Sequence, residues 1–129
     1  MSSNLFELFN RGTLKLPEKS VEFADIPWCR HPEFEGVELK HIVTGANTDG
    51  RFSCHLVRIA PHKRIGNHIH QMQVEIHEVI DGAGVCINGG TELIYKTGII
   101  SVIPSGAPHE VDAGERGLYL FAKFVPALC

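Results

Sequence analysis

An all-β barrel or sandwich is the fold this sequence predicts, and three observations predict it. Short apolar runs rich in β-branched and aromatic residues recur along most of the chain at strand length. Thirteen glycines and seven prolines fall between those runs, a density that favours frequent turns and argues against a helical bundle. At 129 residues, 43% hydrophobic and 21% charged, the chain has the composition of one soluble globular domain with a core of its own.

Taken in order, residues 1–35 read as irregular, with short elements at 4–9 and 21–26. Ser3 or Asn4 followed by Glu7 has the pattern of a capped helix start. Strands then follow with little interruption. Residues 37–44 form one and residues 52–60 a second that ends at Pro61. Residues 74–80 form a third, closed by Asp81-Gly82. Residues 85–87 and 92–95 flank Asn88-Gly89-Gly90, a hairpin turn by its chemistry, because Asn and Gly tolerate positive φ. Residues 99–103 stop at Pro104, and residues 118–125 stop at Pro126.

Composition excludes several partners. The net charge is −3, and Lys and Arg are nowhere clustered as phosphate neutralisation requires, so nucleic acid is not an expected partner. No apolar stretch is long enough for a membrane helix. The first residues lack the basic and apolar regions of an export signal, and a cytoplasmic location is expected. The cysteines at 29, 54, 86 and 129 form no C-x-x-C pair. They read as reduced thiols, with Cys29, Cys54 and Cys86 as small buried hydrophobes and Cys129 exposed.

The eight histidines carry the chemistry. His68 and His70 are one residue apart, so in an extended segment their rings point the same way. Glu75 opens a strand close by, and His109 follows the tight turn Pro104-Ser105-Gly106-Ala107-Pro108, which can bring a third imidazole back. Three nitrogens and one carboxylate oxygen suit Zn, Fe, Mn, Ni or Co and disfavour Ca and Mg.

Strand alternation extends the site. With Glu75 facing inward, His77 and Val79 follow, and Ile76, Glu78 and Ile80 face away. His77 is then either a proton-transfer group or a hydrogen-bonded space filler. In residues 52–60, His55 and Arg58 lie on opposite faces, and His55 is the one expected inside. In the last strand Lys123 sits among apolar residues, either at a solvent edge or, as favoured here, as a buried cation for an anionic substrate.

These spacings resemble a known family. His68-Ile69-His70-x4-Glu75-x6-Gly82 is similar to the first cupin motif, G-x5-H-x-H-x3–4-E-x6-G. Gly98-x5-Pro104-x-Gly106-x2-His109 is similar to the second, G-x5-P-x-G-x2-H-x3-N. The likeness spans roughly residues 37–125. It departs at His62, where the first motif begins with Gly, and at Ala113, where the second ends with Asn. The resemblance implies a cupin barrel of the RmlC-like type (a double-stranded β-helix, or jelly roll) over residues 36–129. It also implies one divalent transition metal on His68, His70, Glu75 and His109, and a homodimer to which the extension 1–35 contributes.

Four ligands leave about two positions open on an octahedral ion. Three functions fit: an oxygen-using enzyme such as a dioxygenase, a redox-neutral isomerase, lyase or tautomerase on a sugar or sugar acid, or a small-molecule-binding protein. The first is favoured, with His77, His55 and Lys123 as further catalytic candidates.

Overall fold

The structure is a computed structural model that describes residues 4–129. The chain opens with helix α1 (Asn4–Asn10), then the small hairpin β1 (Thr13–Lys15) and β2 (Ser20–Glu22), a 3₁₀ turn at Phe23–Asp25, and β3 (Cys29–Arg30). The barrel strands follow: β4 (Val37–Val43), the short helix α2 (Gly45–Thr48), β5 (Ser53–Ile59), β6 (Arg64–His68) and β7 (Val74–Asn88). The chain then forms β8 (Thr91–Lys96), β9 (Ile100–Ile103) and β10 (His109–Val125). The expected capping role of Ser3 lies outside the described residues.

Strands β3 to β10 make one antiparallel sheet that folds on itself because β7 and β10 are long and shared. The first part of β7 pairs with β9 and with the second part of β10, which in turn pairs with β5. The second part of β7 pairs with β8 and with the first part of β10, which pairs with β6. The result is the jelly roll expected from the sequence.

Two expectations about strand ends are corrected here. Asp81-Gly82 does not close a strand. β7 runs through it, and the pairing register with β10 shifts there instead. Gly82 has φ 81° and faces Gly117 across the pair, where φ is 80°. The backbones approach so closely that a Cβ on Gly82 would lie 2.3 Å from the Gly117 carbonyl oxygen. The glycines therefore bend a continuous strand and do not interrupt it. Likewise β10 begins at His109, well before residue 118, and β6 was not foreseen, because its Arg64, Gly66 and Asn67 give it no apolar alternation. The hairpin after β7 matches expectation, with Gly89 and Gly90 at φ 56° and 88°.

Burial follows strand alternation. In β7, Glu75, His77 and Val79 are buried while Ile76, Glu78 and Ile80 are half-buried. Val57, Ile59, Val79, Tyr95, Leu118 and Leu120 belong to the core between the two halves of the sheet. A second cluster, Phe6, Phe23, Ile42 and Leu56, joins the described part of the N-terminal segment to the outer face of the same chain's barrel. Phe6 packs there against Tyr119 with ring centroids 4.5 Å apart. Strand β5 is thus buried on both faces. Cys54 and Cys86 are buried as expected, but Cys29 is exposed, because β3 is an edge strand paired only with β4. No helix among the described residues is long and apolar enough to cross a membrane.

Candidate metal centre

Three backbone features bring the four expected ligands together. His68 ends β6 and lies directly opposite His109 at the start of β10. His70 follows in a loop fastened to the turn before β10, where the Gly106 amide donates to the His70 carbonyl (2.9 Å) and the Ser105 hydroxyl donates to the Gln71 carbonyl (2.6 Å). Glu75 points inward from the start of β7. His62, which replaces the first glycine of the motif, sits at φ 61°, a left-handed turn position that His tolerates better than most residues.

One ligand atom from each of His68, His70, Glu75 and His109 lies within 4.8 Å of all the others. The donors are also oriented. The Nδ1–H of His68 donates to the Gly66 carbonyl (2.7 Å), and that of His109 donates to the Ala107 carbonyl (2.9 Å). Both Nε2 atoms are thereby directed into the cluster. His109 Nε2 is 3.0 Å and His70 Nε2 3.5 Å from Glu75 Oε1. Glu75 Oε2 faces the other way and accepts from His77 Nε2 at 2.6 Å, while His77 Nδ1 reaches the Tyr95 hydroxyl at 2.9 Å. Three imidazoles and one carboxylate, with His68, His109 and Glu75 each held by a further hydrogen bond, form a set that fits a transition-metal ion.

Electrostatics ties Glu75 to His77. Burial by itself would raise the Glu75 pKa, but the His77 ring and the hydrogen bonds from His109 and His77 outweigh it and hold the carboxyl far below its usual range. Burial likewise opposes charge on His77, and the Glu75 carboxylate overrides it, raising the ring to about 9. In the metal-free chain His77 is therefore an imidazolium that donates on both sides. It props the carboxylate and is one of the residues that line the adjoining cavity. We expect His77→Gln to weaken metal affinity by about 10- to 100-fold, with full occupancy still reached at high metal concentration. Competition with a chelator measures this. Loss of binding at saturation would make His77 a ligand, and unchanged affinity would remove its positioning role.

The remaining candidates lie elsewhere. Lys123 is corrected: its side chain is 36% exposed and ion-paired with Glu78 on the outer face of the sheet, so it presents no cation to the cavity. The register explains this, since Leu120, Ala122 and Phe124 take the inward positions of β10. His55 is fully buried inside the barrel as expected, but it bonds to His41 (2.8 Å) and Ser53 (2.7 Å) and does not line the metal cavity. Burial, then the neighbouring His41, lowers its pKa to about 4. Between about pH 6.5 and 4 the unfolded chain therefore binds a proton that the folded chain refuses. This neutral His55 contributes stability above that window and loses it on acidification, by roughly 3 kcal/mol in all. Urea unfolding of metal-free protein across this range tests it, and a slope unchanged in His55→Gln would refute it.

A cavity of about 60 Å³ adjoins the cluster, walled by Leu39, Val57, Ile65, Leu120 and Phe124. His31 also lines it and was not foreseen. Its Nδ1 accepts from the Glu33 and Phe34 amides (3.1 and 3.3 Å), which leaves its proton on Nε2. Phe34 stacks near His31 (4.7 Å) and lies over Gly66, where a Cβ would come within 2.9 Å of its ring. In the sequence this segment shows only turn chemistry, His-Pro-Glu, with no sign that it returns to the barrel mouth. Tyr95 was missed as a polar partner because an aromatic residue in a strand reads first as core.

The fold and the cluster together define a small β-barrel with a His/Glu site suited to a metal. The family model described as "Cupin domain" matches residues 55–119, and the chain belongs to that family. Among curated proteins none matches. Among solved structures, a predicted oxalate decarboxylase from Thermotoga maritima is similar at 22% identity and TM-score 0.73, over 80% of this chain and 95% of that one. KdgF from Halomonas sp. is 19% identical with TM-score 0.70, over 80% of this chain and 88% of that one. The polyketide cyclase RemF from Streptomyces resistomycificus is 21% identical with TM-score 0.70, over 84% and 78%. At these identities the likeness establishes the fold alone.

Proposed function

We propose that this chain is a metal-dependent enzyme acting on a small molecule that binds through oxygen donors, with dioxygenase-type chemistry as the reading the site supports best. The observation that carries it is the cavity wall. The space beside the four ligands is small and mostly aliphatic, and no lysine or arginine lines it. A sugar acid would bring a charge and several hydroxyls into that wall without enough partners, at a desolvation cost. A compact apolar body with one chelating oxygen pair, together with dioxygen, suits it better.

In this proposal His68, His70, Glu75 and His109 hold one divalent ion, with iron or manganese favoured over nickel or zinc. The ion when bound supplies Lewis acidity and, if redox-active, electrons for oxygen chemistry. The chain supplies the rest. His77 fixes the orientation of Glu75, the aliphatic wall excludes water, and His31 offers an Nε2–H donor at the mouth to orient the substrate. The expected homodimer belongs to the same proposal. Leu5 and Leu8, exposed on α1, offer it apolar surface, and light scattering tests it.

The test is elemental analysis of untagged protein followed by oxygen-uptake screens with small phenols, thiols and organic acids. Near-stoichiometric iron or manganese with substrate-dependent uptake is expected. Turnover that persists under nitrogen would replace this reading with a redox-neutral isomerase, lyase or tautomerase. A metal-bound protein that turns nothing over would leave a binding protein.

A further inference from the structure

A second cluster of metal-ligating side chains lies away from the first. One ligand atom each of His41, His55 and Cys129 lies within 4.8 Å of the other two. His41 and His55 are cross-strand partners on β4 and β5, and their Nδ1 atoms are 2.8 Å apart. The backbone after β10 delivers the thiol. The Ala127 amide donates to the Gly50 carbonyl (3.0 Å), the Leu128 amide to the Ser53 hydroxyl (2.8 Å), and the Gly45 amide to the Cys129 carbonyl (2.6 Å). Three hydrogen bonds thus pin the last residues against the loops that flank α2. Phe124 is a shared wall, since both His55 (5.5 Å) and His70 (5.1 Å) pack against its ring.

We propose that His41, His55 and Cys129 form a second metal site, selective for a thiophilic transition-metal dication of the zinc type. The donor chemistry differs from that of the first cluster. Two imidazoles and a thiolate make a softer set than three imidazoles and a carboxylate, so the two sites rank metals differently. Tetrahedral zinc with Zn–N near 2.0–2.1 Å needs its two nitrogens about 3.3 Å apart, so the His41–His55 contact has to open by about half an ångström. The hydrogen that joins the two Nδ1 atoms in the metal-free chain moves to Nε2 of its own ring, leaving both Nδ1 lone pairs for the ion. His55 is buried and neutral near neutral pH, so it takes up the ion without giving up a net proton. One proton leaves, from the Cys129 thiol. Cys129 is exposed and gives the ion an entry path.

Cobalt(II) is the probe, because only a thiolate ligand gives an intense sulfur-to-cobalt charge-transfer absorption and the first cluster contains no sulfur. Full-length metal-free protein should take up two equivalents of cobalt, one of them with that absorption. Cys129→Ser should lose the absorption and one equivalent. Glu75→Gln should keep the absorption and lose the other equivalent, which separates this site from the first. His41→Asn should weaken the absorbing site by at least the roughly 10-fold that even outer-sphere changes cost. As a readout free of mutation, zinc should slow alkylation of Cys129, followed by peptide mass spectrometry. No charge-transfer band at saturating cobalt, a band that survives in Cys129→Ser, or zinc-independent alkylation would each overturn the proposal.

Discussion

Glu75→Gln is expected to abolish stoichiometric metal binding at the His68, His70 and His109 cluster. Glu75 is the only anionic member of that cluster, and its Oε1 already sits 3.0 Å from His109 Nε2 and 3.5 Å from His70 Nε2. An amide in its place keeps the volume but removes the charge that offsets a dication. The loss should exceed the roughly 10- to 100-fold that outer-sphere changes cause. The substitution acts on His77 as well. That ring is raised to about 9 because the carboxylate outweighs burial, and without the carboxylate it reverts to a neutral buried histidine. Deprotonation spares the variant an unpaired buried charge, so the fold should survive. Metal content after dialysis against a weak chelator, with the His77 titration followed by NMR, reads both effects. Retention of stoichiometric metal would sink the assignment of Glu75 as a ligand.

Gly82→Ala is expected to destabilise the protein by about 3 kcal/mol or more, through strain at positive φ and overpacking against backbone. Gly82 adopts φ 81°, and its added Cβ would meet the Gly117 carbonyl oxygen at 2.3 Å. A carbonyl in a paired strand cannot swing aside as a side chain can. Relief would require shifting β7 against β10, the pairing that places both Glu75 and His109. Gly89→Ala is the control, because φ there is 56° with nothing within 4 Å. It should cost only the left-handed strain of about 1–2 kcal/mol. Chemical denaturation of both variants measures the difference. Equal losses would show that the close approach at Gly82 is not decisive.

This glycine also shows why part of the fold escaped sequence reading. Asp81-Gly82 has the local chemistry of a strand end, and only the partner strand turns it into a bend. The difference lies in Gly117, thirty-five residues away in sequence and in contact across the pair. The same is true of β6, whose residues show no alternation and are held in extended form by β10.

The sequence by itself determined the all-β class, the inward face of β7, the hairpin at Gly89-Gly90 and the four clustered residues His68, His70, Glu75 and His109. The first three rest on local rules, strand period and turn conformation, which act over a few residues, whereas the cluster, whose His109 lies far along the chain from His68, rests on the likeness to the two cupin motifs. The tertiary structure alone decided that Lys123 pairs with Glu78 outside the cavity, that His77 and Tyr95 brace Glu75, and that His31 reaches the cavity mouth. It also decided that His55 keeps company with His41 and Cys129 and not with the first cluster. Each of these depends on how distant strands pair and which loops fold back over the barrel, and strand alternation fixes the face a side chain takes but not the neighbours it meets there.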